Sequence, residues 1–322
     1  MACFAANPNS LFGKVSFAFE KRNSASEIQI ERNGERLSMA WELKKNKRAK
    51  ITFGLRSSDA LIDSLRFESG KASKTILQRA NPDFQLFIGE RNLAKNKWTV
   101  FFDNPDTRPY SNGRLKLDLK DITIDQLKKR ATVKFGDLSF EDFSGQLWLT
   151  VYAGSPLVHL EAVIKTEKQA RAIVYAAGLS IPEESVQSIR YHRAGKSLES
   201  VDKSDLADYR EWKHVELTRN DGIGRSKFKQ KTSPLYGGKD SGFLKAKYRA
   251  VGVELEGGSL TVFPSPHKFL YPLDFAENFG GNYAWRKEER IETGIRQPPL
   301  GDGRYRPWVN APPKTDQHLD MF

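Results

Sequence analysis

The feature that most constrains this chain is a period-two alternation of apolar and polar residues, interrupted repeatedly by short glycine-containing turns. Ile28 and Ile30 alternate with polar neighbours, Asn33-Gly34 follows, and Leu37, Met39 and Trp41 resume the alternation. Successive side chains of a strand point to opposite faces, so such a segment has one face to bury, and an Asn-Gly pair readily adopts the positive φ of a two-residue hairpin. The spacing predicts a hairpin over residues 28–41 that turns at Asn33-Gly34. A longer hairpin is predicted where 147–152 and 157–164 flank Ala153-Gly154-Ser155-Pro156, and another where Gly257-Gly258 separates 248–255 from 259–263. Residues 51–55, 84–88, 98–102, 173–179 and 215–217 read as further strands, being short and rich in β-branched and aromatic side chains.

Helical spacing is scarce. Ile124, Leu127 and Lys128 suggest a helix over 121–130, and 201–210 suggests a second. The fold class expected is therefore all-β: a large antiparallel β-sandwich, supersandwich-like in size, with a few short helices. At 322 residues the chain far exceeds the roughly 100 residues of an immunoglobulin-type sandwich, which favours one large domain over 10–322. If there are two sandwiches instead, the polar stretch 120–135 is the expected seam.

Composition narrows the function classes. Hydrophobic residues at 39% and charged residues at 29% exclude general disorder, and the apolar runs are strand-sized, too short for a transmembrane helix. Fifty-two basic against forty acidic residues give a net charge of +12, which favours an acidic partner: an acidic polysaccharide or sugar, nucleic acid or anionic lipid. The basic residues concentrate in 41–50 and 224–249, and two separated patches suit an extended polyanion. Cys3 has no partner for a disulfide, which fits a reduced compartment and a bacterial export route equally; the small apolar opening Met1-Ala2-Cys3-Phe4-Ala5-Ala6 lacks a basic leader and a full apolar run, and read as the stump of a removed signal peptide it would make the protein secreted or periplasmic. GxxxxGK[ST], GxGxxG after a strand, HExxH, paired CxxC and GxSxG are all missing, so no nucleotide, metal or other cofactor is expected, and oligomeric state is left open.

The chemistry-bearing residues crowd toward the C-terminal side. In "FPSPHKFLYPLDFAENFGGNYAWR", residues 263–286, Pro264 and Pro266 brace the backbone ahead of His267, with Tyr271 and Asp274 close behind. A rigid loop carrying His, Tyr and Asp suits proton transfer, which needs a base held at hydrogen-bonding distance. His267, Tyr271, Asp274, Tyr283 and Arg286 are the catalytic candidates. Asn278, Asn282, Trp285, Arg296, Arg304, Arg306, Trp308 and Asn310 are substrate-binding candidates, because aromatic faces stack on sugar rings and arginine forks grip carboxylates. The competing reading is a proline-braced turn whose aromatics cover the sandwich edge. His159 is a further binding candidate: it shares a strand face with Glu161, opposite Val158 and Leu160, either as a half-buried hydrogen-bonded histidine or as a site residue.

The stretch "GSPLVHLEAVIKT", the Gly-Gly hairpin ahead of the proline-aromatic loop and the scarcity of helix together resemble the galactose-mutarotase-like β-supersandwich. That family includes aldose epimerases, several polysaccharide lyases and accessory domains of glycoside hydrolases. The segment "GDGRYRPWVNAPPKTDQHLDMF" is similar to parts of large uncharacterised bacterial proteins. The resemblance covers most of the chain and implies a carbohydrate-active protein, although no His/Glu pair here matches the epimerase pair. For an acidic polysaccharide the residue types of the C-terminal loop suggest an eliminating lyase, with Arg286 or Arg296 neutralising the uronate carboxylate, His267 as base and Tyr271 or Tyr283 as acid. The alternative is a non-catalytic carbohydrate-binding or interaction module of a larger assembly. Nucleic-acid binding ranks third: the charge allows it, but no recognition motif accompanies it.

Overall fold

A computed structural model describes residues 15–44, 46–93, 109–192, 197–209, 217–219, 228–230, 243–244, 246, 248–265, 282–296 and 308–322. The fold is all-β, as expected: a large multi-sheet sandwich, antiparallel among the described strands except where one edge strand pairs in parallel. The largest sheet runs β17 (Phe243–Leu244), β20 (Asn282–Lys287), β21 (Arg290–Arg296), β12 (Arg171–Pro182), β6 (Ala72–Glu90), β5 (Ile62–Ser69), β4 (Lys47–Gly54), β3 (Arg36–Glu42) and β2 (Ile28–Asn33). Off that path, β22 (Val309–Ala311) pairs with β12 and β7 (Ser111–Arg114) with β6. The second sheet runs β1 (Ser16–Lys21), β8 (Lys116–Gln126), β9 (Arg130–Phe140), β10 (Phe143–Tyr152), β11 (Val158–Thr166) and β23 (Gln317–Met321), with β1 and β8 parallel. A small sheet of β14 (Leu198–Asp202), β13 (Val186–His192), β18 (Val251–Leu255) and β19 (Gly258–Val262) lies apart in pairing, as does the ribbon of β15 (Leu217–Arg219) and β16 (Phe228–Gln230). Among the described residues no helix is long and apolar enough to cross a membrane.

Alternation decides what the sheets bury. Ile51 and Phe53 of β4, Leu86 and Ile88 of β6, Ile122 and Ile124 of β8, and Val133 and Phe135 of β9 all join one core cluster, to which Ile189 and Val253 of the small sheet also belong. Phe53 meets Phe135 edge to face across it, with ring centroids 5.0 Å apart. β6, at 19 residues, joins the two halves of its sheet: Ala80 is its last partner to β5 and Asn81 its first to β12. Arg79, held at φ 49°, sits at that changeover.

Both predicted helices are corrected. Residues 121–130 belong to the β8–β9 hairpin, and the candidate seam 120–135 lies within the same hairpin. The physical reason is that Ile122 and Ile124 are fully buried while Asp121 and Thr123 face the other way, a two-residue period built from β-branched residues. Residues 201–210 begin as the end of β14 and pass into a single 3-10 turn, Lys203–Asp205. Two turns also shift by one residue. Asn33 pairs with Arg36, so Gly34 and Glu35 make the turn, and Leu255 pairs with Gly258, so Glu256 and Gly257 make the other. The expected strand at 98–102 lies outside the described residues. Because Gly34 holds φ 58° in open space, Gly34→Ala should cost about 1 kcal/mol from backbone strain alone, read as a lower urea midpoint at unchanged slope.

Candidate functional site

Strand β12 is buried along almost its whole length on both faces, which an outer sheet face open to water would not allow. Its core face presents Ile173, Tyr175, Ala177 and Leu179; its other face presents Ala172, Val174 and Ala176, which enter a second apolar cluster with Phe87, Tyr283, Trp285 and Trp308. Small residues make room for large ones there. A Cβ on Gly178 or Gly294, which pair across β12 and β21, would collide with the Tyr283 hydroxyl, so that ring lies across the glycine pair. Trp285 stacks on Tyr283 at 4.3 Å, and Tyr209 tilts against Trp285 at 5.4 Å.

On the same face the alternation of three strands delivers charge. Asp83 and Gln85 of β6 lie beside Arg114 of β7, and Glu292 of β21 lies opposite Trp285. Arg114 grips Glu292 with both terminal nitrogens, Nη1 donating to Oε1 at 2.7 Å, while Trp285 Nε1 donates to Glu292 Oε2 at 2.7 Å. Asp83 Oδ1 stands 3.5 Å from Arg114 Nε, and Lys287 Nζ stands 3.9 Å from Glu292 Oε1. Arg114 and Lys287 both lie over the Tyr209 ring, at 5.5 and 5.0 Å.

Burial pushes the Asp83 carboxyl up to about 6; the Arg114 charge works against that rise and the Glu292 carboxylate adds to it. Its Oδ2 meets no hydrogen-bond partner among the described residues, which fits a carboxyl able to hold a proton. Burial also works against the charge of Arg114, but the Glu292 hydrogen bonds and the two carboxylates outweigh it, so the guanidinium is held above its usual range.

Beside this cluster, residues 207–209 add to the edge of β20. Tyr209 N donates to Arg286 O at 2.6 Å and Arg286 N to Ala207 O at 2.8 Å, and Asp208 pairs with Arg286 at 3.1 Å. A cleft of about 390 Å³ opens here, lined by Glu183, Asp208, Tyr209, Arg286, Lys287 and Glu288. Tyr209 forms one wall and at the same time covers the Arg114–Glu292 pair.

The sequence candidates distribute unevenly around this arrangement. Tyr283, Trp285 and Trp308 share the aromatic cluster, but as a buried layer, and Arg286 lines the cleft next to it. Asn282 is fully buried, and its Nδ2 donates to Tyr248 O and Ala250 O at 2.9 Å each, so it ties β20 to the segment before β18. Asn310 accepts from Arg91 Nε at 2.9 Å, and Arg91 also donates to Trp308 O, which anchors β22. Arg296 pairs by its backbone with Ala176. His267, Tyr271, Asp274, Asn278, Arg304 and Arg306 lie outside the described residues. Sequence reading missed Asp83, Arg114, Tyr209, Lys287 and Glu292. The available signal was a carboxylate at a sheet-facing position inside apolar runs, Asp83 in "PDFQLFI" and Glu292 in "IETGI".

His159 sits elsewhere, in the second sheet. It shares a face with Glu161 as expected, and β23 brings Asp320 to the position opposite Glu161. His159 Nε2 lies 2.9 Å from Asp320 Oδ2 and Nδ1 lies 3.3 Å from Glu161 Oε2; His318 Nδ1 contacts Glu161 Oε1 at 3.1 Å, and Ser265 Oγ donates to Asp320 Oδ2. The backbones of Phe263 and Phe322 exchange two hydrogen bonds, and the rings of His159, Phe322 and Phe263 stack in that order at 4.3 and 5.6 Å. The start of the proline-rich segment is thus docked on the His159 cluster. No protein-family model matches this chain, and no curated protein matches it either.

Proposed function

We propose that the protein is carbohydrate-active, acting on or binding an acidic saccharide at the cleft between β20 and residues 207–209, with the buried Asp83, Arg114 and Glu292 supporting its Tyr209 wall from behind. The observation that carries this reading is a cleft that sets the cations Arg286 and Lys287 beside the Tyr209 ring, with the buried Arg114–Glu292 pair behind it. Arg286 and Lys287 supply cations for a uronate carboxylate, Tyr209 supplies a ring face, and Glu183, Asp208 and Glu288 accept hydrogen bonds from sugar hydroxyls. In an eliminating reaction the cations stabilise the enolate-like charge that develops as the proton beside the uronate carboxylate passes to a carboxylate of the cleft wall; the bond from the next carbon to the glycosidic oxygen then breaks, that oxygen takes a proton from water, and an unsaturated end is left.

A second reading is a non-catalytic binding module. It draws on the pairing of Arg114 with Glu292, which already occupies both terminal guanidinium nitrogens. One experiment separates the two: incubation with a panel of uronate-containing and neutral polysaccharides, following near-ultraviolet absorbance for unsaturated ends and reducing ends for hydrolysis. Turnover that falls about 100-fold in Arg286→Gln with the fold retained supports the catalytic reading. Binding without turnover moves the protein to the module class, and neither binding nor turnover on any acidic glycan ends the proposal.

A further inference from the structure

We propose that His159, Glu161 and Asp320 form a divalent-cation site on the second sheet, independent of the sugar reading. One ligand atom from each residue lies within 4.8 Å of the others, giving a nitrogen and two carboxylate oxygens. The backbone puts them there: Glu161 and Asp320 are direct cross-strand partners on β11 and β23, and His159 is two residues from Glu161 on the same face. Like charges placed directly opposite in a sheet destabilise it, and here Glu161 is half-buried and Asp320 nearly fully buried, so their repulsion is poorly screened. His159 lies against both carboxylates and His318 against Glu161. A divalent cation brings two positive charges to the carboxylate pair.

The local geometry suits coordination. Ligands each about 2.1 Å from an ion stand about 3 Å apart at the right angles of an octahedral shell and about 3.4 Å apart in a tetrahedral one. His159 Nε2 and Asp320 Oδ2 are separated by 2.9 Å, so a cation can share that edge while Glu161 turns its carboxylate to close a third position, with water completing the shell. The surroundings hold the donors in place as outer partners of metal ligands do: His318 engages Glu161 Oε1, Ser265 donates to Asp320 Oδ2, and Phe322 fixes the imidazole plane by stacking. Binding requires a neutral imidazole and two ionised carboxylates, so protons compete with the metal and binding weakens in acid. The mixed nitrogen and oxygen donor set favours Zn²⁺ or Mn²⁺, with Co²⁺ as a visible analogue, over Ca²⁺ or Mg²⁺, which take oxygen ligands. Local motif searches find no such site, because the third ligand arrives from a strand paired across the sheet.

The test uses the untagged full chain after chelator treatment, titrated with Co²⁺ while visible absorbance is recorded, then with Zn²⁺ while thermal unfolding is followed. One equivalent should bind and raise the melting temperature. Glu161→Gln and His159→Gln should each weaken binding by at least about 100-fold, and Ser265→Ala by about 10-fold. Circular dichroism without metal checks that each variant folds; should His159→Gln fail to fold, Glu161→Gln at the rim decides. No stoichiometric binding of Co²⁺ or Zn²⁺, binding unchanged in the folded variants, or selective binding of Ca²⁺ would each overturn the proposal.

Discussion

Glu292→Gln is expected to lower the unfolding free energy by about 3 kcal/mol at pH 7, because removing one partner strands a largely desolvated charge. Glu292 is 2% exposed, and the side chain is held by three donors, two from Arg114 and one from Trp285. Glutamine keeps the shape and leaves an oxygen for Trp285 Nε1, so the loss reports the charge rather than a cavity. Arg114 is 30% exposed by side chain and has Asp83 within 3.5 Å, which places the cost at the lower end of the range for broken buried pairs. Among the described residues Asp83 then becomes the only close carboxylate for Arg114, and its pKa should fall from about 6, since the repulsion from Glu292 is gone and the attraction to Arg114 remains. Urea denaturation of Glu292→Gln, Arg114→Gln and the double variant measures the coupling. A sum of single effects equal to the double effect would show that the pair does not interact.

Asp83→Asn should do the opposite at neutral pH. The folded-state pKa is raised above the unfolded value of 3.8, so the folded protein holds the proton more tightly. The associated stability is fully present below pH 3.8, declines as pH rises toward about 6, and is absent above it. A shift of this size corresponds to about 3 kcal/mol at 1.36 kcal/mol per unit, with the attraction to Arg114 already counted in it; an asparagine amide buried in the same place gives back part of that gain. Asparagine cannot ionise, so the variant should match the parent near pH 4 and exceed it by about 2 kcal/mol at pH 8. Melting curves across that range decide it: a stability difference independent of pH would mean that Asp83 does not titrate near 6.

How much of this was legible in the sequence follows from which signals are local. The hairpins around Gly34, Gly154 and Gly257 were visible because period and turn chemistry are written within ten or twenty residues, although the turns at Gly34 and Gly257 sit one residue away from the reading. The helix expected at 121–130 failed because Ile124, Leu127 and Lys128 satisfy a helical spacing by accident, while the Ile122–Ile124 alternation is the one that buries side chains. Tyr283 and Trp285 were found as an aromatic grouping because they are sequence neighbours on β20. Asp83 and Arg114 were not, since nothing near either residue announces that β6, β7 and β21 will bring them to Glu292. His159 was read onto the same face as Glu161 from alternation alone, but its third partner depends on the pairing of β11 with β23.

The pairing of β12 has a further consequence for how the protein acquires its shape. Its partners on β6 and β21 both lie about a hundred residues away along the chain, so the central sheet forms only after two large loops close, which places this topology among slow folders. Arg114 cannot reach Glu292, and Tyr283 cannot settle over the Gly178–Gly294 pair, until those closures are complete. Trp285, which donates to Glu292, is therefore a natural clock: its fluorescence during refolding should change in the last resolved phase, after far-ultraviolet signal from the 28–41 hairpin has already developed.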